Sequence, residues 1–437
     1  MLSLATAALS LLGAVEEAQP TVQDDMHDHW AVLVAGSSGY GNYRHQADVC
    51  HAYQVVLKAG IKPEQIIVLA TDDIANSPEN PFPGQLFNKP TDAGTPGVDV
   101  YAGCQIDYSG STVTPDTFVS VLTGDSAALN GVGSGKVLKS TDKSRVFVNF
   151  VDHGGVGLIG FPRTTMHATE LISALQKMSD TSMYKELVFY LEACESGSMF
   201  AELPSDIHIY ATSAANARES SWGTYCPPND KVNGKSLNSC LGDLYSVNWM
   251  EDSDKSITSG ETLQTQFETV KQLTNKSHVL QFGDLTITPE VTTNFLGNSD
   301  STTARLLGKP VVKVTAAPLA SDTRSEDAEL ASAYARFAAS DSPIAAAELM
   351  TGVRERLEAN ERFAKIARAV TGKALTHKAP EKVNLACHFT AHKAYVASCG
   401  EWTTGSLKHS ADLAELCAAT TNDARPIVAA IKETCSA

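Results

Sequence analysis

The chain has 437 residues, with 34 lysines and arginines against 50 aspartates and glutamates and a formal net charge of -16 at pH 7. That length is too great for one ordinary domain and implies two or three, and the acidic balance disfavours nucleic acid as a partner. No run after the N-terminus approaches the roughly 20 apolar residues that span a bilayer, so no membrane partner is expected.

Residues 2–15 are apolar and end in small residues before Glu16 and Glu17, as in a signal peptide without the usual basic start. His27 and His29 stand close together but no second ligand cluster accompanies them, so neither a metal nor a cofactor is expected. Residues 30–36 read as a buried strand, 43–59 as a helix stopped at Gly60, and 65–70 as a second strand, a β-α-β start. Residues 76–115, rich in Pro, Gly and Asp, read as loop.

A further apolar run ends at Asp152-His153-Gly154-Gly155. A helix is predicted over 168–178, a strand over 186–191 leading to Glu192-Ala193-Cys194, and another strand over 207–212. Strands alternating with helices imply a mainly parallel sheet with helices on both faces. The alanine-rich stretch from about 323 to 437, with its alternating acids and bases, reads as a helical bundle.

Ligands of open parallel sheets bind outside the carboxyl ends of the strands. His153 and Cys194 each follow an apolar run, so two adjacent strands would bring imidazole and thiol to one edge as base and nucleophile. Gly154, lacking Cβ, lets a backbone N–H approach a substrate carbonyl and form an oxyanion hole with the N–H of Cys194. Taken singly, Cys194 reads as a core thiol and His153 as a turn residue; at equivalent strand ends they read as catalytic. Cys194 is expected in an exposed, electropositive setting. Cys50 is expected to be a packing residue, with Cys104 another unpaired thiol.

Charge is divided unevenly. Residues 1–298 carry 17 bases and 34 acids, whereas 299–437 carry 17 and 16. Within the second part, residues 354–382 hold eight bases and four acids. This segment could dock on an acidic face, or it could be a solvated helix held by local pairs such as Glu358 with Arg362. Asn275-Lys276-Ser277 is a glycosylation sequon, consistent with a secretory route.

The His153 and Cys194 motifs, together with residues 34–53, 210–222 and 241–252, resemble the legumains, the asparaginyl endopeptidases or vacuolar processing enzymes among the caspase-like cysteine peptidases. The resemblance is dense over about 29–285, and beyond that mainly cysteine spacing remains. It implies an α/β fold, a caspase-like mainly parallel sheet flanked by helices, plus a C-terminal all-α, death-domain-like prodomain. The implied organisation is a signal peptide (1–18), a catalytic domain (19–288), a linker or activation segment (289–325) and a helical inhibitory prodomain (326–437).

The resemblance also implies that Asn42 orients the imidazole of His153. It implies a specificity pocket with Arg44 and His45 on the oxygen side of an asparagine carboxamide, Glu192 and Asp243 on the nitrogen side, and Ser220 and Ser221 on the wall. Such a side chain demands both a donor and an acceptor, and protonated aspartate would fit at lower pH. Asp152 is given a modulating role. Spacing alone leaves three pairings for the last four cysteines; the resemblance implies Cys387–Cys417 and Cys399–Cys435, besides Cys226–Cys240. Autocleavage candidates are Asn294, Asn298 and Asp322.

The expected function is that of a cysteine endopeptidase zymogen, routed through the secretory pathway to lysosome or vacuole or secreted. It would cut after Asn, and after Asp at low pH, and activate itself in acid by losing its prodomain. Its partners would be proteins and peptides with exposed Asn, its own prodomain, and cystatin-type inhibitors. The alternatives are a peptide ligase of the same family and a silent binding or storage protein; intact Asn42, His153 and Cys194 argue against the last. Two departures from the family pattern stand out: Gly41 replaces a bulkier residue, and Gly155-Val156-Gly157 lacks the usual proline.

Overall fold

A computed structural model describes residues 29–91, 94–256, 260–297, 321–340 and 342–436. The expected signal peptide and Asn298 lie outside these residues, as does His27.

Six strands form the central sheet in the order Leu280–Gly283, Ile209–Ser213, Glu186–Glu192, Arg145–Val151, His29–Ala35, Ile66–Leu69. The first pairs antiparallel with its neighbour and the remaining pairings are parallel. The strands are apolar almost throughout because both faces are covered. Alternate residues point to opposite sides. Val32, Val148 and Phe189 join one core with Phe118, Leu171 and Leu175, while Leu33, Phe147 and Val188 join the other with Val49, Tyr53 and Trp249. The sequence therefore anticipates the architecture, and the predicted helices and strands fall within one or two residues of those observed.

Two features were not anticipated. Residues after His153 fold into a small antiparallel sheet (Gly154–Gly155, Leu158–Phe161, Thr164–His167). Cys50 and Cys104, expected to be unpaired, form a disulfide across 54 residues. It ties the long loop to the middle of the helix Tyr43–Lys58. The three expected disulfides, Cys226–Cys240, Cys387–Cys417 and Cys399–Cys435, are all present, leaving Cys194 as the free cysteine.

The C-terminal part is helical: Ser325–Ser340, Pro343–Thr371, Leu385–Cys399, Ser410–Ala419 and Ala424–Cys435. Ser342 caps the longest of these by accepting from Ala345 N, Pro343 fits its first turn, and Gly372 ends it in the left-handed region. The helices pack around Phe363, Tyr395, Trp402 and Leu416, and Leu158 of the sheet domain enters that core. In return Leu385 joins the sheet domain's core. Buried His167 meets buried His388 across this boundary, with Nε2 and Nδ1 3.0 Å apart.

The basic segment 354–382 pairs within the helical region: Arg354 with Glu358 and Lys365 with Glu361 locally, and Arg356 with Asp327 of the neighbouring helix. Ion pairs that cross the boundary are instead Arg336 with Glu79 and Lys393 with Glu170. No described helix is long and apolar enough to cross a membrane.

Candidate active site

The registers Ala35↔Val151 and Val151↔Glu192 bring the ends of three adjacent strands level. Pairing continues past them, since Gly36 N donates to Val151 O and Asp152 N donates to Glu192 O, each at 3.1 Å. His153 and Cys194 each lie two residues beyond a paired position, so both emerge at the same edge. Asn42 arrives there from the first strand's loop, at the start of the helix Tyr43–Lys58.

Asn42 Oδ1 lies 2.7 Å from His153 Nε2, and its amide nitrogen donates to Ser38 O at 3.0 Å. That second bond identifies which end of the amide accepts. Nε2 of His153 therefore carries the hydrogen and Nδ1 keeps the lone pair a base needs. Gly154 packs directly on the backbone of Cys194: a Cβ there would fall 2.4 Å from Cys194 O.

Cys194 is not in the expected exposed, electropositive setting. It is buried, and its Sγ contacts Ser220 Oγ at 3.2 Å and Ser221 Oγ at 3.8 Å; no hydrogen bond among the described residues joins it to His153. Burial, reinforced by the charge of Glu195, pushes its thiol up to about 12. The covering comes from the helical region, whose Glu326, Thr404, Leu407 and Lys408 face the thiol and His153 across a narrow gap. Burial also holds His153 well below its ordinary range, helped by the charges of Arg44 and Arg356.

Asp152 is wedged between two glycines, because a Cβ at Gly36 or Gly160 would stand 2.5 Å from its Oδ2. Burial raises its carboxyl to about 8. Gly41 is equally constrained: a Cβ there would meet Glu329 Cγ at 2.9 Å. The small residue at this departure from the family pattern is thus the seat of the first C-terminal helix.

The six residues of the expected pocket converge. Arg44 Nε donates to Asp243 Oδ1 at 2.9 Å, His45 Nε2 lies 3.5 Å from Asp243 Oδ2, and Ser246 N and Oγ both donate to Glu192 Oε2 at 3.1 Å. Asp48, not singled out in the sequence, supports them by accepting from Asp243 N at 3.0 Å. Burial raises the carboxyls of Glu192, Asp48 and Asp243. Arg44 Nη2, Glu192 Oε1 and Asp243 Oδ2 are buried with no hydrogen-bond partner, a costly state that a ligand would relieve.

A stretch of chain leads into this pocket. Asp322 Oδ1 accepts from Thr224 Oγ1 at 2.8 Å, and Thr323–Arg324 pairs antiparallel with Trp222–Thr224. Ser325 N then donates to Ser221 O at 2.9 Å, and Ser325 Oγ donates to Asp243 Oδ1 at 3.1 Å. Of the cleavage candidates, Asp322 lies three residues short of the pocket, and Asn294 sits in the short helix Thr293–Leu296 bonded to Glu290. Asn275 of the sequon is exposed.

Residues 29–298 match the family model described as Peptidase C13. The chain belongs to that family, the legumain-type cysteine endopeptidases. It is 47% identical to a protein named Legumain from Mus musculus over 69% of this chain and 67% of that one, and 50% identical to Legumain of Bos taurus over 67% and 65%. The Vacuolar-processing enzyme beta-isozyme of Arabidopsis thaliana is 50% identical over 64% of this chain and 59% of its own. The matches thus span about two thirds of these relatives' length or less. A solved caspase-1 structure from Spodoptera frugiperda is similar over 63% of this chain with a TM-score of 0.36 and 9% identity, too slight a likeness to bear on the site.

Proposed function

We propose that the chain is the latent form of an endopeptidase that cuts after asparagine and, in acid, after aspartate. One observation carries this reading: a buried unpaired donor, Arg44 Nη2, and two buried unpaired acceptors, Glu192 Oε1 and Asp243 Oδ2, in a cluster where Arg44 Nε already bonds Asp243 Oδ1. A carboxamide supplies the complement of both kinds, and a site built this way rejects side chains that cannot pair.

In the reaction Cys194 Sγ attacks the carbonyl carbon after the chosen residue, and its proton passes to His153 Nδ1. The N–H groups of Gly154 and Cys194 meet the oxygen as it gains charge. His153 returns the proton to the leaving amine, and water then cleaves the thioester. Capture of that thioester by an amine instead of water would make the chain a ligase. Asp152, beside the imidazole, is proposed to modulate this partition.

Latency follows from the seated segment, in which Ser325 touches Asp243 while Arg44 Nη2 and Glu192 Oε1 stay unpaired. The helical region is accordingly proposed to be an inhibitory prodomain, joined through a segment whose loss frees the site. The four disulfides fit an oxidising compartment, and a lysosomal or vacuolar destination accords with a need for acid.

The test is kcat/KM of the acid-activated enzyme on peptides differing only at the residue before the cut. Asparagine should exceed alanine by roughly 10⁴-fold, and Glu192→Gln should reduce that preference. Equal cleavage after alanine would overturn the assignment of the pocket.

A further inference from the structure

A second cluster of chemically capable side chains lies wholly within the helical region. His377 Nδ1 stands 2.9 and 3.1 Å from the two carboxylate oxygens of Asp412, and His409 Nδ1 stands 2.5 Å from Asp412 Oδ2. The three ligand atoms all lie within 4.8 Å of one another. Asp412 and His409 are buried, whereas the His377 side chain is 63% exposed.

Two physical arguments call for a cation here. The Asp412 carboxylate is fully buried, with no Lys or Arg among its ion-pair partners, and a buried negative charge needs compensation. In addition, His409 Nε2 lies 3.0 Å from Asn360 Oδ1. With the hydrogen on Nε2 to serve that acceptor, Nδ1 turns a lone pair toward the Asp412 oxygen. Two acceptors at that separation need something positive between them, a proton or a metal.

We propose that His377, His409 and Asp412 form a site for a divalent transition metal, zinc by its donor set. Two imidazoles and one carboxylate suit zinc, whereas calcium and magnesium prefer oxygen ligands throughout. Zinc bonds of about 2.0–2.2 Å in a tetrahedron need somewhat wider ligand spacing than the hydrogen-bonded pairs have, and exposed His377 is free to supply it. Asn360 would serve as the outer partner that orients a ligating histidine. The His409 ring is further held by stacking on Phe363, with centroids 4.6 Å apart. The loop carrying His377 is fastened to the same helix as Asp412, because Thr376 N donates to Glu415.

A fourth ligand position would open toward a cavity of about 290 Å³ that His377 and His409 share with Glu195 and Glu326. Glu195 follows Cys194 directly, so metal bound here would brace the helical region beside the covered thiol. Neither His377 nor His409 belongs to a recognisable ligand spacing, which is why the sequence suggested no metal.

The experiment is zinc titration of the full-length chain carrying Cys194→Ser, which removes a competing thiol, followed by calorimetry and thermal unfolding. The expected result is one zinc per chain, a higher Tm with zinc but not with magnesium, and affinity at least ~10-fold weaker in His377→Ala. Cobalt should give the visible bands of four-coordinate N/O ligation in the parent and lose them in His377→Ala. His278→Ala, which removes an exposed histidine paired with Glu219, should change nothing. Unaltered zinc affinity in His377→Ala would overturn the proposal, as would a folded chain that takes up no zinc, leaving a proton as the bridge.

Discussion

Ser325 Oγ donates to Asp243 Oδ1 at 3.1 Å, so the residue that begins the first C-terminal helix rests on an acid of the proposed specificity pocket. A hydroxyl satisfies one acceptor there and leaves Arg44 Nη2 and Glu192 Oε1 unpaired. Ser325→Asn should supply the missing pairings. The expected outcome is acid-induced cleavage at residue 325, seen by mass spectrometry as a new chain beginning at Glu326, and absent from the wild type. An unchanged cleavage pattern would contradict the seating of Ser325 as a substrate residue.

Asn42 holds the imidazole through Oδ1 without being attacked or protonated itself. Asn42→Ala should therefore lower kcat by about 10²-fold while leaving KM within a few-fold. A selective rise in KM would instead assign Asn42 to substrate binding.

The domain boundary should be acid-labile at His388. Burial holds His388 at about 4 and His167 at about 2, below the ordinary value near 6.5. Because these folded-state values are depressed, separated or unfolded forms take up protons first. The stability from neutral His388 is complete above about pH 6.5 and is lost as pH falls toward about 4, a change of about 3 kcal/mol. Lys393, paired with Glu170 at this boundary, adds to the cost of charge there. Asp152, raised to about 8, pushes stability the opposite way. Comparing Tm against pH for Cys194→Ala with and without His388→Gln cancels that contribution, and the second variant should show the flatter loss in acid. Parallel profiles would remove His388 from the account.

The Cys50–Cys104 disulfide fastens the helix bearing Arg44 and His45 to the loop beyond residue 70. Replacing both cysteines by alanine should cost about 2–5 kcal/mol, read as a lower midpoint in denaturant with the other three disulfides intact by mass mapping.

The meeting of His153 and Cys194 at one sheet edge is legible because its signals are local. An apolar run followed by His-Gly-Gly, and another followed by Cys-Glu-Ser-Gly, mark two strand ends, and a parallel sheet brings such ends together. The Cys50–Cys104 pairing was not legible because Cys50 falls in mid-helix, where a cysteine reads as packing, and its partner lies 54 residues away. The burial of Cys194 is not legible for a related reason. Leu407 and Lys408, which line the narrow gap beside it, stand more than two hundred residues later, and no pattern around Cys194 reports them. Ser325 and Asp48 carry no distinguishing motif, so only the fold reveals what they touch.

The most direct test of the central claim is mass spectrometry of the full-length wild type and Cys194→Ala, each acidified with an Asn-containing peptide. The account predicts that the wild type shortens itself by losing the helical region and cuts the peptide after Asn, while Cys194→Ala leaves both intact. An intact wild-type chain and intact peptide at every pH, or equal cleavage by Cys194→Ala, would contradict it.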